Sequence, residues 1–177
     1  MAKSKPSEPS DTKTTKPVLD NHQQALLIPP PVPFLGAGAG EPRSGAVAIF
    51  GVPYDKTASF RKGTRGGPDA LRSVSDAAIE TYSPAQNRDL EDFDFVDLGN
   101  IELSNDAAPE LIDALVFDAA ASLLQSKTIP CMIGGEHSIS PGAIRAAFEM
   151  HPELVVIQID AHADLRESYE GSPHSHA

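Results

Sequence analysis

Three ionisable side chains, Asp160, His162 and Asp164, alternate with alanines in IDAHADLR, directly after the apolar run at residues 154–159. In an extended segment successive side chains point to opposite faces, so these three share one face if the strand continues. Two carboxylates side by side repel, and one stays protonated unless a positive charge lies between them. A divalent cation supplies that charge. His137, in IGGEHS, ends another apolar run and converges on the same point if the two runs are neighbouring strands joined by a right-handed crossover. The competing reading is a set of caps and surface turns after a strand. Carboxylates with imidazoles suit harder ions such as Mn(II), while nickel, cobalt and iron accept the same donors. Two aspartates with two histidines also suit a pair of ions, about 3.5–4 Å apart in two-metal enzymes, that make water nucleophilic near neutral pH. That is hydrolytic chemistry.

The elements that must position these groups are legible as alternating strands and helices. AVAIFGVP, residues 46–53, is a short apolar run ended by Gly and Pro and reads as a buried strand. In GTRGGPDALR, Pro68 suits the first turn of a helix, with Asp69 and Asp76 on it or near it. DFDFVDLGN reads as a second strand, with alternation at Phe93, Phe95 and Asp97. Leu111, Ile112, Leu115, Val116, Ala119, Ala120, Leu123 and Leu124 recur at a helical period, which predicts a helix over 109–125. TIPCMIGG gives a strand, SPGAIRAAFEM a helix and ELVVIQID a strand. Such alternation implies a mostly parallel α/β sheet, whose chemistry collects beyond the carboxyl ends of its strands. GGEHS and DAHAD occupy such places.

Composition narrows the remaining classes. Residues 1–44 are rich in Pro, Ser, Thr and Lys and read as a disordered arm, leaving 45–177 as the folded portion. A formal net charge of −11 argues against nucleic acid as a partner. No apolar stretch has the length to cross a bilayer, so no membrane partner is expected. QALLIPPPVPFLGAGAG is a poor signal peptide, and a cytoplasmic setting is the default expectation. The single cysteine, Cys131, has no internal partner and reads as a buried thiol.

At these motifs the sequence resembles the ureohydrolase superfamily of arginases, agmatinases and their relatives. IGGEHS resembles the family's first metal motif and IDAHADLR its second, while GVPYDKTASFRKGTRGGPDALR and DLEDFDFVDLGNIEL resemble the agmatinase branch. The resemblance implies a three-layer α/β/α fold, a binuclear manganese centre and hydrolysis of a small cationic guanidino compound to urea. It places His137 and Asp164 on one ion, His162 on the other and Asp160 between both. Asp164 would move a proton toward the leaving amine, and His176 resembles the proton shuttle, with His174 the competing choice. Glu136 is expected to support the site, and GTRGGP to be a structural turn. Relatives of this kind are commonly homo-oligomers, trimers or hexamers.

The residues after the second motif bear on substrate. Where arginases carry Asn two positions after the final Asp, this chain has Arg166, which lowers arginine and favours agmatine. Guanidinobutyrate, guanidine and formiminoglutamate hydrolases share nearly the same motifs. The family's S-x-D-x-D ligand strand does not occur within the 177 residues. The chain is therefore expected to be a fragment of a longer protein or a truncated product, and inactive alone. A non-catalytic homologue that associates with an active one is the alternative.

Overall fold

The computed structural model describes residues 26–38, 40–104 and 106–177. In chain order its regular elements are β1 (Leu27–Ile28), β2 (Val47–Val52), α1 (Gly67–Ala78), β3 (Tyr82–Ser83), β4 (Arg88–Asp89), β5 (Phe95–Ile101), α2 (Pro109–Gln125), β6 (Ile129–Gly134) and α3 (Ser140–Met150). The main sheet runs β1-β5-β2-β6, with β5, β2 and β6 mutually parallel and β1 antiparallel. This is the expected α/β architecture. β2 lies inside the sheet, and Ala48, Phe50 and Val52 are fully buried, as a continuous apolar run predicts. Ile112, Leu115, Val116, Ala119 and Leu123 of α2 join them in one core. α2 and α3 cross so closely that a Cβ on Gly142 would lie 2.3 Å from the Asp113 carbonyl oxygen. No helix among the described residues is long and apolar enough to cross a membrane.

Three expectations are corrected. Of the arm at residues 1–44, residues 1–25 lie outside the described residues, but the following stretch docks on the sheet. Leu27 and Ile28 pair with Ile101 and Asn100. The Phe34 N–H donates to Asp97 at 2.8 Å, and the Leu35 N–H to the Ser75 hydroxyl at 2.9 Å. These anchors are single polar side chains, which composition alone does not reveal. Cys131 is exposed rather than buried, because β6 is an edge strand of the sheet among the described residues. The third correction concerns residues 154–159, which form no strand. An apolar run becomes a strand only where a neighbour completes its hydrogen-bond ladder and other elements cover its faces. Among the described residues none does so, and Ile159 is 98% exposed.

β5 carries the most consequential buried charge. Asp97 receives Arg72 Nε at 2.7 Å and a second guanidinium nitrogen at 2.8 Å, a bidentate pair with both side chains essentially inaccessible. Arg72 also donates to Asn100 Oδ1 at 2.6 Å and to the Gly99 carbonyl at 3.1 Å. The pair ties α1 to β5, and through Phe34 it ties the docked arm to both.

Gly99 shows why the arm fits. Its φ is +85°, and a Cβ there would sit 1.8 Å from the Ile28 carbonyl oxygen. Gly99→Ala must strain the backbone and push β1 away. The expected cost is about 1–3 kcal/mol, read as a lower urea midpoint with faster amide exchange at Leu27 and Ile101.

Candidate metal centre

The carboxyl end of β6 turns sharply at Gly135, where a Cβ would meet the Tyr54 carbonyl oxygen at 2.1 Å. The chain then enters a short 3₁₀ turn, His137–Ile139, that leads into α3. Glu136 caps this turn: its carboxylate accepts the Ser138 N–H at 2.7 Å and the Ser138 hydroxyl at 2.7 Å. It also accepts the Thr57 hydroxyl. Glu136 is buried and fully engaged, which leaves the adjacent His137 imidazole to face outward.

His137, Asp160 and Asp164 offer ligand atoms that all lie within 4.8 Å of one another. His137 Nδ1 is 3.7 Å from Asp164 Oδ2. This convergence does not arise from strand parity. Asp160 Oδ1 accepts the His162 N–H at 2.9 Å, a local turn that bends the chain out of an extended path. Asp164 adopts φ +50°, which reorients it again. His162 consequently stays outside the three-residue group; its side chain is 82% exposed, with Nδ1 3.5 Å from Asp160 Oδ1. The hydrogen bond from the His162 N–H is the main influence holding the Asp160 carboxyl below its usual range, with the nearby His137 and His162 rings adding to it.

His176 lies on the wall of a cleft of about 620 Å³ that His137, His162, Asp164, Arg166 and Tyr169 also line. Its ring stands edge-on to His137, with centroids 5.3 Å apart. His174, the competing residue, is turned toward Glu110 Oε1 at 3.5 Å. Tyr169 is set by a two-residue turn: Glu170 and Gly171 have positive φ, and Tyr169 and Ser172 exchange both backbone hydrogen bonds at 3.0 Å. The Arg166 guanidinium lies 5.0 Å from the Tyr169 ring centroid, stacked on the cleft wall.

The GTRGGP stretch is structural. Gly63, at φ +127°, donates its N–H to the buried Asp55 carboxylate at 2.7 Å, and Gly67 passes so close to the Gly134 carbonyl that a Cβ would lie 2.8 Å from it. Asp55 and Thr57 lie within GVPYDKTASFRKGTRGGPDALR, but that stretch does not reveal their partners: Asp55 accepts the Gly63 N–H, and the Thr57 hydroxyl meets Glu136 and Ser138. Tyr169 had a partial signal in the Glu-Gly pair that follows it.

A mostly parallel α/β sheet with a carboxylate–imidazole cluster gathered around His137, beyond the end of β6, defines a candidate metal-dependent hydrolase, and sequence comparison places it. Residues 45–177 match the Arginase family, and the chain belongs to that family. It is 41% identical over 131 residues to an agmatinase from Bacillus cereus, covering 74% of this chain and 44% of that protein. The solved structure of proclavaminate amidinohydrolase from Streptomyces clavuligerus superposes with a TM-score of 0.73 at 33% identity, covering 87% of this chain and 50% of the other. Agmatine ureohydrolase of Thermoplasma volcanium gives a TM-score of 0.66 at 35% identity, covering 73% and 42%. The chain thus spans about half the length of the relatives it matches.

Proposed function

We propose that the intact protein is a manganese-dependent amidinohydrolase that converts agmatine to putrescine and urea. The observation that carries the reading is the convergence of His137, Asp160 and Asp164 in a chain resembling agmatinases. The donors fit a divalent cation: two carboxylates and an imidazole come together, with His137 and Asp160 exposed and Asp164 half-buried. His137, Asp160 and Asp164 would hold the cation, and His162, beside Asp160, would be the nearest further imidazole for a second one. When bound, the ions supply Lewis-acid charge and a water made nucleophilic near neutral pH.

The chain's own residues do the rest. The walls of the cleft hold the guanidino carbon within reach of water. As the carbon–oxygen bond forms and a carbon–nitrogen bond breaks, Asp164 carries a proton from the attacking water to the departing amine. His176, on the cleft wall, exchanges protons between the site and solvent. Residue 166 is Arg, stacked on Tyr169, where arginases carry Asn, and that difference supports agmatine over arginine. The site belongs to a homo-oligomer, a trimer or hexamer, in a cytoplasmic setting. The 177 residues alone are expected to hold manganese weakly and to release no urea.

The test is to load the intact protein with manganese and measure urea and putrescine from agmatine beside arginine, guanidinobutyrate, guanidine and proclavaminate-type substrates. Agmatine is expected to have the highest kcat/KM. Urea from another compound instead moves the substrate assignment, and urea from none ends the hydrolase reading in favour of a non-catalytic partner.

A further inference from the structure

We propose that Ser59 is a positioning residue for the His176 imidazole, an inference that rests on the role given to His176 above. The two residues are 117 positions apart, yet Ser59 Oγ lies 3.1 Å from His176 Nε2. The other ring nitrogen, Nδ1, is enclosed and has no hydrogen-bond partner. Ser59 therefore provides the ring's one side-chain hydrogen bond among the described residues. The other contacts are ring edges: His137 at 5.3 Å and Tyr169 at 6.4 Å, both close to perpendicular. Edge-on rings limit sideways movement but leave the ring free to swing. The Ser59 hydroxyl, which can donate to Nε2 or accept from it, fixes the orientation of the ring in either tautomer.

The loop bearing Ser59 is built to hold it in place. Its base is closed by the hydrogen bond from the Gly63 N–H to Asp55, with Asp55 buried. Lys56 Nζ donates to the carbonyls of Asp106 and Ala107 at 3.0 and 3.3 Å, ahead of α2. Thr57 donates to Glu136, the residue that caps the turn carrying His137. One buried carboxylate thus fixes both the segment that presents His137 and the loop that reaches His176. The distance between the two imidazoles is set by Glu136 from one side and by Ser59 from the other. A serine whose only role was solvation would need none of these anchors.

Two variants and two readouts test this. Ser59→Ala removes the hydroxyl from an exposed position, so the fold and the manganese content are expected to be unchanged, and Ser59→Thr keeps the hydroxyl. In the manganese-loaded intact protein, Ser59→Ala is expected to lower kcat for agmatine about 10–100-fold, with KM within about twofold of wild type, and Ser59→Thr to restore most of the loss. Independently of turnover, NMR relaxation of the His176 ring in the metal-free protein is expected to show one fixed ring orientation in wild type and in Ser59→Thr. In Ser59→Ala the ring is expected to move between orientations, with shifted ring signals. An unchanged kcat in an active protein, or identical His176 ring shifts in wild type and Ser59→Ala, overturns the inference. If wild type releases no urea, the proposed function fails, and the ring spectra alone decide whether Ser59 orients His176.

Discussion

Asp160→Asn in the intact, manganese-loaded protein is expected to reduce urea release from agmatine by about 10³-fold or more. The substitution is chosen for what it leaves alone. Asparagine keeps the size of the side chain and its Oδ1, which accepts the His162 N–H at 2.9 Å and shapes the turn after residue 159. What it removes is the negative charge beside Asp164 and His137. A role confined to capping predicts little change, because the cap survives. A role in holding a cation predicts loss of activity, loss of bound manganese, and loss of any rise in melting temperature on adding manganese. Near-wild-type activity with manganese still bound is incompatible with Asp160 as a ligand.

Arg72→Met is the second large effect, and it falls on stability. The substitution leaves Asp97 inaccessible with two backbone donors, the N–H groups of Phe34 and Gly99, and no countercharge. Breaking a buried pair by removing one partner costs about 3–5 kcal/mol, visible as a large drop in the urea midpoint. Burial by itself would push the Asp97 carboxyl upward, but the bonds from Arg72, Phe34 and Gly99 outweigh it and hold the carboxyl below its ordinary value. A carboxyl lowered in the folded state favours folding while the unfolded one is also ionised. The contribution is therefore whole above the unfolded value, about 3.9, and disappears as pH falls through the lower folded value. Wild type should lose stability steeply across that acid range, and Asp97→Asn should be flatter there. Parallel profiles would remove Asp97 as the source of the acid sensitivity.

The helices and central strands were legible because their signals are local. Pro109 opens α2, its apolar period covers the whole helix, and the helix ends at Gln125 as the periodicity predicts. The apolar run of β2 is buried on both sides and needs no further information. Residues 154–159 carry an equally apolar pattern but form no strand, since the pattern states a preference for burial and not the presence of a partner. At the site, the residue types and the nearness of His137 to the two aspartates were readable. The route was not: parity requires an extended chain, whereas the Asp160–His162 turn and the positive φ at Asp164 place the carboxylates and set His162 apart. The partners of Arg72, Asp97 and Ser59 were not legible for a different reason. Each acts through a hydrogen bond to a residue 25 or more positions away, and no spacing encodes that.

Manganese binding itself is the most direct measurement, made by following the EPR signal of aqueous Mn(II) during titration into the intact wild-type protein and its Asp160→Asn variant. The expected result is a signal suppressed in wild type until about one to two equivalents are taken up, and present from the first addition in Asp160→Asn. An unsuppressed signal in wild type, or equal suppression in both proteins, would contradict a cation held by His137, Asp160 and Asp164.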